Sequence, residues 1–238
     1  MDQAFILDSC PANEHSFTHL INRAHRGGKR GEVKRFVFEH ILVWMTVLGV
    51  GVGIYTAVRW SSLPVLARAD GLFFCFLILH LWEETKYPGG FTAMITTKLH
   101  FTQADPNFGA IVTSALVLLI AFIPLFFPHV AFLTVVPLLL GILEPLAHLA
   151  AIRMSDTRFY SPGLATAVVL LLPTALYGIV YVAQYDLLYP IEWVLCVVYL
   201  LVALLVAQQV VVRASGMKYS EFLKNARGAL LGRQGSTG

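Results

Sequence analysis

Six stretches of this chain stay apolar for about 20 residues each, at roughly 37–58, 63–82, 108–127, 130–152, 163–184 and 191–212. A helix needs that length to cross about 30 Å of hydrocarbon. Inside hydrocarbon the backbone must satisfy its own hydrogen bonds, which leaves only helices or a closed barrel. Long apolar runs without strict alternation are helical, so the expected fold is all-α, a six-helix transmembrane bundle. Composition agrees, because 57% of the 238 residues are hydrophobic and only 13% are charged, against a charged share near one quarter in soluble domains. A soluble enzyme, a disordered chain and a nucleic-acid binder are thereby disfavoured. The second run is the least apolar, since Arg68 and Asp70 sit near its start, yet from Leu72 to Trp82 only His80 interrupts it.

Basic residues set the expected orientation, because cytoplasmic segments retain Lys and Arg. With the N-terminus inside, only Arg59 and Arg68 of the 17 basic residues fall outside. The expectation is therefore N-in and C-in, in a plasma or inner membrane, with membrane lipids as the immediate partners. Three regions follow: a polar basic cytoplasmic segment 1–35, expected to be disordered, a six-span membrane domain 36–213, and a cytoplasmic tail 214–238. Segment 1–35 lacks an apolar h-region, so it does not read as a cleaved signal peptide. Cys10, Cys75 and Cys196 are scattered and form no disulfide or thiolate-metal pattern.

About 25 residues separate runs two and three, which is long for a helix connection. This linker opens with Pro88-Gly89-Gly90, continues through the moderately apolar Phe91 to Leu99, and closes at Asp105-Pro106-Asn107. It is too short to cross, and a short interfacial or re-entrant helix is expected there. Whether segment 88–107 forms a lid over the inner face or an ordinary surface helix is left open by the sequence.

Ionisable groups inside a span are expensive and are functional candidates by default. His80, Glu83 and Glu84 stand at i, i+3 and i+4 in the second run. At about 100° per residue Glu83 lies about 60° to one side of His80 and Glu84 about 40° to the other, so the three are read as sharing a face. Glu144 and His148 repeat the i, i+4 spacing in the fourth run. Both runs travel from outside to inside, and both groups lie a few residues before a basic residue, Lys86 or Arg153. They are expected to meet near the cytoplasmic interface. Asn107, Tyr160, Ser161 and Thr166 come to the same side and are possible supporting groups, as is His100 in the linker. Pro145, directly after Glu144, leaves the carbonyl of Gly141 without its helical donor.

The string His80-Leu81-Trp82-Glu83-Glu84, followed by Tyr87-Pro88-Gly89-Gly90-Phe91, resembles the HXXEE family of small multi-span membrane proteins. Glu144-x-x-x-His148 and Tyr160-x-Pro162-Gly163-Leu164 are similar to that family's later motifs, in the same order, so the resemblance spans roughly 37–200. Where the family often has Asn before Pro-Gly, this chain has Ser161. The resemblance implies a multi-span membrane protein and singles out these residues, but it brings no activity with it.

Two imidazoles and three carboxylates suit a divalent metal, with His80, His148 and Glu144 as a ligand set and one position left for water. Zinc is favoured over iron, because a di-iron site draws on four carboxylates with paired Glu-x-x-His elements. Glu83, Glu84 and Glu144 are the candidate catalytic groups, one of them serving as general base. The leading expectation is a membrane enzyme, a hydrolase or an acid/base isomerase, acting on a lipid or other amphiphile. Alternatives are a proton-coupled small-molecule transporter, or a ligand-binding membrane protein whose His–Glu network is structural. Arg68 and Asp70 read as an interfacial ion pair or as solvated charges, and His40 and His129 as span-end residues. Trp60, Trp193, Tyr185 and Tyr189 read as interface anchors on the outer side.

Overall fold

The structure is a computed structural model that describes residues 40–100, 106–154 and 159–230. Segment 1–35 and the last residues of the 214–238 tail lie outside the described residues. Among the described residues all regular structure is helical: α1 Ile41–Val58, α2 Val65–Thr85, α3 Phe91–Lys98, α4 Pro106–Val117, α5 Ala131–Ala151, α6 Leu164–Gln184, α7 Pro190–Ala214 and α8 Tyr219–Leu230. Among the described residues six segments are long and apolar enough to cross a membrane, namely α1, α2, Phe108–Phe126, α5, α6 and α7. Their bounds shift from the sequence reading by only a few residues.

Two helices carry an irregular turn with one local cause. A π turn at Leu118–Phe122 extends α4 into a tight turn at Ile123–Phe126, and another π turn lies inside α6 at Ala167–Leu171. Each lies just ahead of a proline, Pro124 or Pro173. Proline donates no N–H and its ring collides with the carbonyl four residues back, so the preceding turn widens to accommodate it.

The core sits between α2 and α5, which bury 61% and 50% of their most apolar windows, against 11% for α7. Phe73, Phe74 and Leu77 of α2 meet Val135, Val136 and Leu138 of α5 there. Close approach depends on Gly141, where a Cβ would come within 2.5 Å of Phe73 and 2.9 Å of Ala175 on α6. In lipid, where apolar helices gain little by leaving the solvent, such small-residue contacts supply much of the association. A side-chain bond adds direction: the Trp82 indole donates to Thr46 Oγ1 at 2.8 Å, tying the end of α2 to α1.

Beside that end of the bundle lies a second, smaller core. Leu99 beyond α3, Val212 of α7, and Phe222 and Ala229 of α8 are buried together, and the Asn225 amide donates to the Leu99 carbonyl at 2.9 Å. The short helix expected between the second and third spans is therefore present as α3. The tail adds a helix that the sequence reading left unassigned, α8.

Candidate functional site

α2 and α5 each end with a pair of ionisable side chains, and the ends converge. His80 and Glu84 lie one turn apart on α2, and Glu144 and His148 one turn apart on α5. Across the interface His148 Nε2 lies 3.3 Å from Glu84 Oε1, and His80 Nε2 lies 3.7 Å from Glu144 Oε2. Within each helix the corresponding separation is 3.7 Å. The two rings meet edge to face, with centroids 5.1 Å apart. Both imidazoles are buried, while Glu84 and Glu144 are 15% and 23% exposed, so the carboxylates form the open side of the cluster.

Each ring is oriented from behind by a hydroxyl. His80 Nδ1 lies 3.0 Å from Thr166 Oγ1, and His148 Nδ1 lies 3.1 Å from Ser161 Oγ. The first contact fixes a tautomer. Thr166 donates its one hydroxyl proton to Glu83 Oε2, so its oxygen accepts from His80 Nδ1–H. Neutral His80 then presents an unprotonated Nε2 to the cluster, the arrangement by which a carboxylate prepares an imidazole as a ligand.

Glu83 has other work. Its Oε1 accepts from the Tyr160 hydroxyl and from the Ala165 N–H at 3.0 Å, and its Oε2 accepts from the Thr166 N–H at 2.7 Å as well as from the Thr166 hydroxyl. Ala165 and Thr166 belong to the first turn of α6, whose N–H groups have no helical acceptor. A carboxylate there satisfies two of them and complements the positive end of the helix dipole. Successive residues on a helix diverge by about 100°, so Glu83 and Glu84 serve different neighbours. Burial beside the Glu83 carboxylate pushes the Tyr160 phenol up to about 12.

Pro162-Gly163 brings this loop against the cluster. Gly163 has a φ of +102°, and a Cβ there would sit 2.4 Å from His148 Cε1 and 2.9 Å from Glu84 Cγ. Both the backbone conformation and the space call for glycine. The Phe91 ring, at the start of α3, also lies 4.8 Å from the His148 ring. The start of α3 thus lies against the cluster, while its far end is anchored in the smaller core.

Of the residues singled out in the sequence, His80, Glu84, Glu144 and His148 are brought together, and Tyr160, Ser161 and Thr166 touch them or Glu83. Among the described residues His80, Glu84 and His148 form a metal-ligating trio whose ligand atoms lie within 4.8 Å of one another; Glu144 stands 3.7 Å from both imidazoles. His100 is exposed beyond the end of α3, about 13 Å along the helix direction from Phe91. The Asn107 side chain lies outside the described residues. Arg68 and Asp70 do not pair: Arg68 donates to the Leu63 carbonyl at 2.9 Å and lies over Trp60, while Asp70 turns into the core.

The donor set fits a cation. Ligands about 2.0–2.1 Å from a tetrahedral ion lie roughly 3.4 Å from one another, and the four imidazole–carboxylate separations here run from 3.3 to 3.7 Å. Three of them are too long for direct hydrogen bonds. His148 Nε2 is buried without a hydrogen-bond partner among the described residues, an expensive condition for a nitrogen aimed at two carboxylates.

No curated protein and no solved structure matches the chain. A family model does, described as "Protein of unknown function with HXXEE motif", over residues 71–178. That segment holds His80, Glu83, Glu84, Glu144, His148 and the Tyr160–Thr166 loop that orients them. The match covers less than half of the 238-residue chain, and over it the chain is similar to the HXXEE family.

Proposed function

We propose that this protein is an integral membrane enzyme that uses a divalent metal, zinc in preference to iron, to hydrolyse an ester or amide bond of a lipid or other amphiphile. The observation that carries the reading is the convergence of two imidazole Nε2 atoms and two carboxylates, 3.3–3.7 Å apart, at the ends of two helices. His80, His148 and Glu84 would hold the metal, which supplies Lewis acidity toward an acyl oxygen. Glu144, the most exposed of the four, is the general base that takes a proton from attacking water and returns it to the leaving group. Glu83 and Thr166 position His80, Ser161 positions His148, and Phe91 limits water at the cluster.

The orientation belongs to the same proposal. Seven of the nine described Lys and Arg residues follow the ends of α2, α5 and α7, so we assign that side to the cytoplasm and both termini to the inside. α3 then lies at the cytoplasmic interface as a lid, and the substrate enters from the inner leaflet.

The test is turnover. Purified protein loaded with zinc, in vesicles of mixed lipid esters and amides, is expected to release acyl products detectable by mass spectrometry. Glu144→Gln is expected to bind metal and lose turnover by 10²-fold or more. A folded, metal-loaded parent that leaves every lipid intact, or a Glu144→Gln variant as active as the parent, contradicts the proposal.

A further inference from the structure

The other half of α2 carries a second ionisable group that the cluster does not use. Asp70 is 1% exposed, and neither carboxylate oxygen has a hydrogen-bond partner among the described residues. Ten residues, about 15 Å of helix, separate it from His80, and it falls just outside the segment that matches the family. It shares a face with Leu66, Phe73, Phe74 and Leu77, all buried, so apolar side chains lie between it and the cluster.

An isolated carboxylate in such surroundings is very costly, and a buried one is paired, ligated or protonated. Among the described residues no cation faces it. Arg68, on its own helix, is held by the Leu63 carbonyl and Trp60. The elements packed against α2 are α1, α4 with its extension, α5, α6 and α3. α1 contains Tyr55 as its sole titratable residue and α4 with its extension contains none. α5 contributes Glu144 and His148, both in the cluster. α6 contributes Tyr177 and Tyr181, and α3 contributes Lys98, beyond the cluster end of α2. Cys75, also on α2, donates to the Gly49 carbonyl.

A metal cation is a poor occupant. Hard cations need about six oxygens, and the seam beside Asp70 is closed: a Cβ on neighbouring Gly71 would lie 2.3 Å from Thr56 Oγ1 of α1. From these observations we infer that Asp70 is a proton-binding site, a neutral carboxylic acid at physiological pH held in the half of the bundle away from the His/Glu cluster. Its ligand is the proton, and releasing it requires α1 and α2 to part enough to admit water or a cation. The inference stands apart from the metal chemistry.

Infrared spectroscopy of the full-length protein in vesicles tests it. The expected result is a protonated-carboxyl stretch at neutral pH that is absent from Asp70→Asn and unchanged when sodium replaces potassium. A hydrophobic carbodiimide gives a readout that needs no variant. The acid O–H adds across its C=N bond, oxygen to carbon and proton to nitrogen, and the wild-type peptide bearing Asp70 should gain the mass of one reagent. An ionised Asp70 at neutral pH, seen as a carboxylate band lost in Asp70→Asn, overturns the inference. So does labelling that sodium suppresses and potassium does not, which would make Asp70 a sodium site.

Discussion

α2 and α7 both have the length and apolarity to cross a membrane, yet they are packed in opposite ways. α7 has a mean hydropathy of 2.6 and buries 11% of its most apolar window, whereas α2 has 1.6 and buries 61%. In water the more apolar helix would be the buried one. In lipid the relation reverses, because the bilayer accepts Leu and Val as readily as the protein interior does, while polar groups must be enclosed. The least apolar span is thus the central one, and it carries His80, Glu83, Glu84 and Asp70 for that reason.

The comparison can be broken most decisively in the core. Phe73→Ala removes a fully buried ring at the α2–α5 contact, and its expected cost is on the order of 3 kcal/mol. Thermal unfolding in detergent would measure it; a loss under about 1 kcal/mol would mean that α2 is not the packing centre.

Thr166→Val sharpens the same comparison at the site. It removes the oxygen that fixes the His80 tautomer and is expected to weaken zinc binding by about 10–100-fold, with Thr166→Ser restoring it. Competition with a chromogenic chelator reads the affinity directly, and an unchanged value would detach Thr166 from the site.

Tyr160→Phe should cost less, about 1–2 kcal/mol for a hydrogen bond to a carboxylate. Its pH dependence has a definite sign. The phenol titrates at the ordinary 10 when unfolded and at about 12 when folded, so the folded state holds the proton more tightly. The gap in stability between parent and variant should therefore be constant below pH 10 and shrink as pH rises toward 12. A gap that widens over that range would assign the bond elsewhere.

At the bottom of the scale, Val202→Ala on the exposed face of α7 should move stability by no more than about 0.5 kcal/mol. A larger loss would show that this face is covered by something other than lipid.

The spans were legible because a 20-residue apolar run has one physical solution in a bilayer. So were the i, i+4 pairs His80/Glu84 and Glu144/His148, since that spacing fixes a shared face whatever the partner. Placing Glu83 on that face was too generous: its direction was settled by the bare N–H groups at the start of α6, a long-range partner that α2 alone does not reveal. Choosing Glu84 or Glu144 as the nearer ligand likewise depends on how α5 sits against α2. α8 went unassigned although Phe222, Ala226 and Ala229 recur at helical spacing, because its polar composition reads as a tail. Nearness to Arg68 suggests an interfacial charge at Asp70, whereas its helical register with Leu66, Phe73 and Leu77 places it inward.

The most direct test of the central claim is the metal content of the protein purified without chelator, measured beside a folded His80→Ala, His148→Ala double variant. The account predicts about one zinc per chain in the parent and none in the variant. A parent that stays metal-free even after incubation with zinc, or a variant that binds as much as the parent, would contradict it.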